Sequence, residues 1–438
     1  PSSGTNFIQI GSEEISYTGI STNTLTGVTR GVRNTTAATH SNGATVLNSS
    51  DYIAWGEAAS GDLVVDPGLW SIDNFGDKVI ALIHNAQVFE WDSNAINAVT
   101  NRATIISGAP TASRDMLVST PDRHLVFFGT ETTIGIPSTQ DEMFIRFSDQ
   151  ENISEYQPTS VNTAGTFRLD SGTKIVGAAK GKDYTLVLTD NSAYVIQFVG
   201  PPFTFSIRQV GSNCGAIGQH SIKYVNGAVY WMGESGGFFV YDGTVKSLPC
   251  LVEDFVFTNK GDNLGVNYQN GESVYVGLNH LYEELTWFYP KSGSSFNDRC
   301  VTYNYQSGTW TTGSLARTTW VDANLYDVPY ATEFTSTGLP TFPLIQGVTN
   351  LNGSTIYYAH EVGTDEVDTQ GNKIAIPAFI ESGDFNLGDG EFLMSMRRFI
   401  PDFKLLTGDC QVTLNLRNYS TNASSSSPLG PFTVTSTT

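Results

Sequence analysis

The chain has 438 residues, with 23 Lys plus Arg against 43 Asp plus Glu, a formal net charge of −20 and only 15 % charged residues. A face that grips a phosphate backbone needs clustered cations that release counterions, so sequence-specific DNA binding is opposed by this balance. No apolar run reaches the roughly 18 residues of a membrane-spanning helix, and the start PSSGTNFIQI lacks the basic and apolar regions of a signal peptide.

In chain order, residues 1–60 read as a small β module or collar, because EEISYTGISTNTLTGVTRGVRNTTAATHSNGATVL is a set of short strands joined by Thr/Asn/Gly turns. Residues 61–380 are aromatic-rich and strand-like, with 25 Phe, 19 Tyr and 7 Trp among 43 Gly in the whole chain, which leaves little room for long helices. Each of several units predicts two strands about a polar turn: Lys78–Asp92, His124–Ile136, Tyr184–Phe198, Leu264–Leu278, Cys300–Gly313 and Gly353–Val362. The clearest unit, His220–Gly243, predicts three antiparallel strands, with Asn226-Gly227 supplying type I′ turn chemistry and Glu234-Ser235-Gly236-Gly237 a second reversal. Unit centres recur roughly every 40 to 60 residues, which fits propeller blades better than a two-sheet sandwich.

The fold class expected is therefore all-β: a β-propeller-like central domain with additional β-rich terminal domains. In Glu90-Trp91-Asp92 and Tyr241-Asp242-Gly243 the aromatic at a strand end is expected between blades, with the acid opening the turn. Residues 381–438 begin a β-sandwich or platform domain and include a Ser/Thr/Asn-rich surface loop at Ser420–Ser427. The absence of an initial Met, and the stop after FTVTSTT, read as a processed or incompletely represented polypeptide.

Catalytic signatures are missing from the sequence: neither G-x-S-x-G in a strand-turn-helix setting nor H-E-x-x-H occurs, and no glycine fingerprint for nucleotides sits between a strand and a helix. His40, His84, His124, His220, His280 and His360 have no ligand spacing and read as packing or turn residues. Cys214, Cys250, Cys300 and Cys410 form no C-x-x-C and suit neither structural zinc nor a dense disulfide scaffold, so their oxidation state stays open. No cofactor is expected. Asp384, Asp389 and Glu391 form an acidic turn open to two readings, a calcium loop without the EF-hand ligand pattern or a junction between domains or subunits. Arg397 and Arg398, with Lys404, are a rare basic cluster that could pair with carboxylates across a subunit boundary or stand as a solvated patch.

Residues 13 to 46, with Glu14, Tyr17, the L-T-G-V-T-R-G run from Leu25 to Gly31, Thr35-Thr36, His40 and Gly43-Ala44, resemble a small β motif common in phage virion proteins. Residues 380 to 403 and 412 to 436 resemble the propeller-to-platform transition of the tail nozzle proteins of short-tailed phages, also called tail tubular protein B, and more distantly the tail stabilisation proteins. That resemblance implies a non-enzymatic virion protein, a homo-hexameric ring below the portal and adaptor in the tail, with genomic DNA passing through its channel. The sequence departs from the family by ending where further C-terminal β sequence is expected. The alternative function is a peripheral tail protein that binds or hydrolyses host-surface glycan through an acidic propeller cleft, since a propeller carries either role.

Overall fold

Several strands of the central region carry large residues on both faces, and both faces are buried. Asp115–Val118, Leu125–Phe128 and Thr185–Thr189 are buried at every position. Such strands must lie between two other sheets, which is the position of a propeller blade. The computed structural model describes all residues except 1–5, 12, 23, 33–34, 45, 49–68, 96–102, 121, 259–262, 324–325, 334–355, 364, 368–372, 377, 384–394, 404–405, 418–427 and 436–438.

The chain is all-β. Five successive four-stranded antiparallel sheets begin at Trp70–Phe75, Asp115–Val118, Ile175–Lys180, Ile222–Val225 and Tyr275–Asn279, and are called blades 1 to 5. Blade 6 has three strands among the described residues, Thr319–Val321, Tyr330–Glu333 and Ile356–Ala359. The first strand of each blade lies beside the first strand of the next, so these strands are innermost.

Apolar residues fill the spaces between consecutive blades. Ile80 and Leu82 of blade 1 meet Leu125 and Phe127 of blade 2; Val126 and Phe128 meet Val187 and Ile196 of blade 3. Leu186 and Leu188 meet Val229 and Trp231 of blade 4, and Met232 and Phe238 meet Leu285 and Trp287 of blade 5. Phe288 then meets Trp320 of blade 6. Indole N–H groups add directional ties: Trp287 donates to the Ser221 carbonyl at 2.9 Å, and Trp320 to that of Leu278 at 2.7 Å.

The hairpin at Asn226-Gly227 forms as expected, with φ of 49° and 95°, both in the left-handed region that a type I′ turn requires. Tyr241 sits between blades against Tyr184, ring centroids 5.4 Å apart, while the Asp242 carboxylate accepts from Lys246 at 2.7 Å in the turn. Two expected hairpins differ, and a third lies partly outside the described residues. In His124–Ile136 only Leu125–Phe128 is a strand, because Thr139 draws 132–139 into a hydrogen-bonded loop, and the partner strand is Phe144–Phe147. In Leu264–Leu278 the Asn267 side chain accepts from the Gln269 N–H and starts the 3-10 helix Tyr268–Ser273, leaving the strand Tyr275–Asn279. In Gly353–Val362 one strand, Ile356–Ala359, is described. Among the described residues the α-helix Glu253–Phe257 has five residues.

The chain divides into two compact units, 1–374 and 375–438. In the first, an N-terminal sheet runs in the order Thr29–Arg30, Glu13–Tyr17, Asn6–Ile10, Val46–Asn48. The second contains an antiparallel pair, Cys410–Leu414 with Leu429–Val434. The Ser420–Ser427 loop lies outside the described residues.

Candidate functional site

The inner strands of blades 1 to 3 and the turn leading into blade 4 bring polar side chains together. Ser71 and Asp73 alternate on the first strand of blade 1, so they share a face; Asp115 opens the apolar strand of blade 2. Asp115 is 4 % exposed. Its Oδ1 accepts from Ser71 Oγ at 2.6 Å, Gln219 Nε2 at 2.9 Å and the Met116 N–H at 2.8 Å, while Oδ2 accepts from the Ala178 N–H at 2.9 Å. Burial pushes this carboxyl up to about 6 against the pull of those hydrogen bonds, with the Asp73 charge adding to the rise.

Asp73 accepts from Lys180 Nζ at 2.7 Å on both oxygens and from the Val118 N–H at 2.7 Å. Gln219 Nε2 also donates to Ser71 Oγ at 2.6 Å, which leaves Gln219 Oε1 buried without a partner. These groups line a cavity of about 220 Å³ that Trp70 and His220 also border. Burial pushes the His220 imidazole down to about 4, opposed by a hydrogen bond to the Trp70 backbone, so the ring is neutral at pH 7.

A second polar group ties blade 2 to the segment entering blade 5. Arg114 reaches Glu272 at 3.2 Å and Glu142 at 3.5 Å, and Lys174 reaches Glu272 at 3.3 Å. Burial raises Glu272, but Lys174 and Arg114 outweigh it and hold the carboxyl below its ordinary range. The Arg114 guanidinium also donates to the Ile175 carbonyl at 2.9 Å. Together the two groups bridge the inner ends of blades 1 to 5 with side chains.

The N-terminal sheet has its own polar centre. Glu13, fully buried, accepts from Arg30, from the Gly31 N–H at 3.1 Å and from the Ala38 N–H at 2.9 Å, and lies 2.7 Å from His40 Nε2. Thr35 Oγ1 accepts from the Glu14 N–H at 2.9 Å. Gly31 has φ of +62°, and a Cβ there would stand 2.8 Å from the Ala37 nitrogen, so the turn closes only with glycine.

Asp384, Asp389 and Glu391, expected as junction or calcium residues, lie outside the described residues. Arg397 and Arg398 are exposed in the second unit. Among the described residues no cluster of three or more His, Cys, Asp or Glu is arranged to hold a metal ion. The histidines have structural neighbours: His84 the Arg114 carbonyl, His124 Asp122 and Thr163, His280 Asp322, and His360 Arg317. All four cysteines are free thiols. No helix among the described residues is long and apolar enough to cross a membrane. The sequence reading missed Ser71, Asp73, Asp115, Lys180 and Gln219; for Asp115 the available signal was an acid at the start of an otherwise apolar strand.

No family model matches the chain. No curated protein matches it either. Solved structures with partial likeness include Hsv2 of Kluyveromyces lactis, 10 % identical with a TM-score of 0.31 over 57 % of this chain and 65 % of that one. Sqt1 of Saccharomyces cerevisiae is 8 % identical, TM-score 0.35, over 61 % and 80 %. A chain of the mitotic checkpoint complex is 10 % identical, TM-score 0.40, over 72 % and 82 %. The match spans about two thirds of the Hsv2 chain. The propeller is evident from the sheets themselves, and these likenesses carry nothing about activity.

Proposed function

We propose that the chain is a non-catalytic structural protein of a short-tailed phage virion, a tail nozzle subunit. Six copies form a ring below the portal and adaptor, and the ring guides genomic DNA without gripping it. The observation that carries this reading is the Ser71–Asp115–Gln219 junction, whose side chains are buried and bonded to one another across blade 1, blade 2 and the turn into blade 4. A DNA path then lies between copies of the chain. The net charge of −20 disfavours adhesion of a phosphate backbone along that path. Arg30, Thr35 and His40 of the phage-like segment are spent on holding their own sheet together, through Glu13 and the Glu14 N–H, which agrees with a structural role for that segment.

The cavity bordered by Trp70, Asp73 and Asp115 favours a second reading, a peripheral protein that binds or cleaves host glycan. Its carboxylates are poorly disposed for hydrolysis, because Asp73 is paired with Lys180 and Asp115 accepts four hydrogen bonds. Cryo-electron microscopy of the intact virion decides between them. A six-fold ring around the DNA path below the portal is the expected result. Copies at the tail periphery, together with turnover of a host polysaccharide by the purified chain, would overturn the nozzle reading.

A further inference from the structure

We propose that the outer edge of blade 3 takes up a strand from a second copy of the chain, residues 378–382. The strand Thr204–Ser212 is the outermost of blade 3 and has nine residues, where the outermost strands of blades 1, 2, 4 and 5 have two to five. A sheet edge presents unpaired N–H and C=O groups, and proteins usually keep it short or break it with proline and charge. This strand is long, holds no proline and carries one charge, Arg208. Its register against Ser192–Gly200 is unbroken from 205 to 209, between two bulges. Among the described residues no backbone hydrogen bond runs from 206–209 to any other part of the chain, so the edge is open.

The tip of the same hairpin is apolar. Phe203 is 76 % exposed, and Val199 and Val161 are exposed with it. The Thr204 hydroxyl donates to the Thr163 carbonyl at 3.1 Å and holds the segment that carries Val161 beside the tip. An open edge supplies main-chain pairing, and an adjoining apolar patch supplies an anchor for side chains of the added strand.

Residues 378–382, Ala-Phe-Ile-Glu-Ser, have what this edge lacks. Among the described residues they belong to no helix or strand and make no backbone hydrogen bond. Phe379 is 91 % exposed and Ile380 93 %. The second unit has no buried residue among those described, so it offers these side chains no core of its own. Five residues span about 17 Å as a strand, the length of the unbroken edge. Charge selects the same pairing. Arg208, exposed and without an ion pair among the described residues, is the only charge in 192–212, and the exposed Glu381 is the only charge in 374–383. An edge of one copy joined to a different surface of the next is a head-to-tail contact, the kind that closes into rings. The contact deepens the nozzle reading, and needs from it only that copies of the chain meet.

Sedimentation of the purified full chain over a range of concentrations tests it. Self-association is expected. Arg208→Glu and Glu381→Arg, both at exposed positions, should each weaken it about fivefold by setting like charges against each other, and the double variant should restore it. Chains that stay monomeric, self-association unchanged by either reversal, or a double variant no better than the single ones would overturn the proposal. Slow amide exchange at 206–209 in such monomers would assign the edge to another occupant. A six-fold virion ring with Arg208 far from Glu381 overturns this contact and leaves the nozzle reading standing; charge-swap rescue with copies at the tail periphery does the converse.

Discussion

At the scale of single residues, two carboxylates carry opposite pH signatures. Asp115 titrates near 6 in the folded chain against an ordinary value of 3.8, so the folded state holds its proton more tightly than the unfolded state does. Its contribution to stability therefore falls as pH rises from about 4 to about 6, by about 3 kcal/mol at 1.36 kcal/mol per unit. Asp115→Asn should flatten that stretch of the stability curve and cost about 1–3 kcal/mol at pH 8, because the amide faces the Ala178 N–H with a donor. Denaturant titration of both proteins between pH 4 and 8 measures the difference. Glu13 has the reverse sign: Arg30, helped by Ala38, His40 and Gly31, outweighs burial and holds its carboxyl well below 4.5. Its stabilisation is complete above that value and is lost as pH falls through the lowered one. Hydrogen exchange of the strand Glu13–Tyr17 should accelerate in Glu13→Gln at pH 7 and differ little from the parent at strongly acid pH. The roles of Glu13 and Asp115 were not legible in the sequence, because their side-chain partners lie from 17 to 104 residues away along the chain.

Blades were more legible than their polar seams. Tyr184–Phe198 and Cys300–Gly313 read as hairpins because their apolar residues alternate about a polar turn, and both form. Asn267 and Thr139 defeated the same reasoning: each uses its side chain on nearby backbone and replaces a strand with a turn. Between blades, close approach is set by small residues. A Cβ on Gly277 would stand 2.7 Å from the Trp320 ring, so Gly277→Ala should push blade 6 outward and cost about 1–3 kcal/mol. Thermal melts of Gly277→Ala, with Trp320 emission as a local probe, test this. Restoring space with Gly277→Ala plus Trp320→Phe should recover part of the loss if the indole is the obstacle.

For the whole molecule, free thiols report integrity. Burial pushes Cys214, Cys250 and Cys300 up to about 11, so at pH 8 they are thiols of low nucleophilicity. Reaction with a disulfide reagent should be slow for these three in the native chain and rapid in denaturant; equal rates in both conditions would contradict the burial. The all-β class and recurring hairpins were available from composition and turn residues, whereas the cavity was not. Its walls come from inner strands of separate blades, and hydrophobic patterning specifies the blades without specifying which polar residues meet on the axis.

The Gln219–Ser71 hydrogen bond joins positions 148 residues apart. On a ribosome, the strand Trp70–Phe75 emerges long before the residue that completes its polar surroundings. Ser71 and Asp115 must remain without Gln219 until the fourth blade begins to emerge, so synthesis passes through an interval in which the first blades stand with an unfinished centre. Slow translation within that interval exposes an intermediate to misassembly, and a pause placed after it does not.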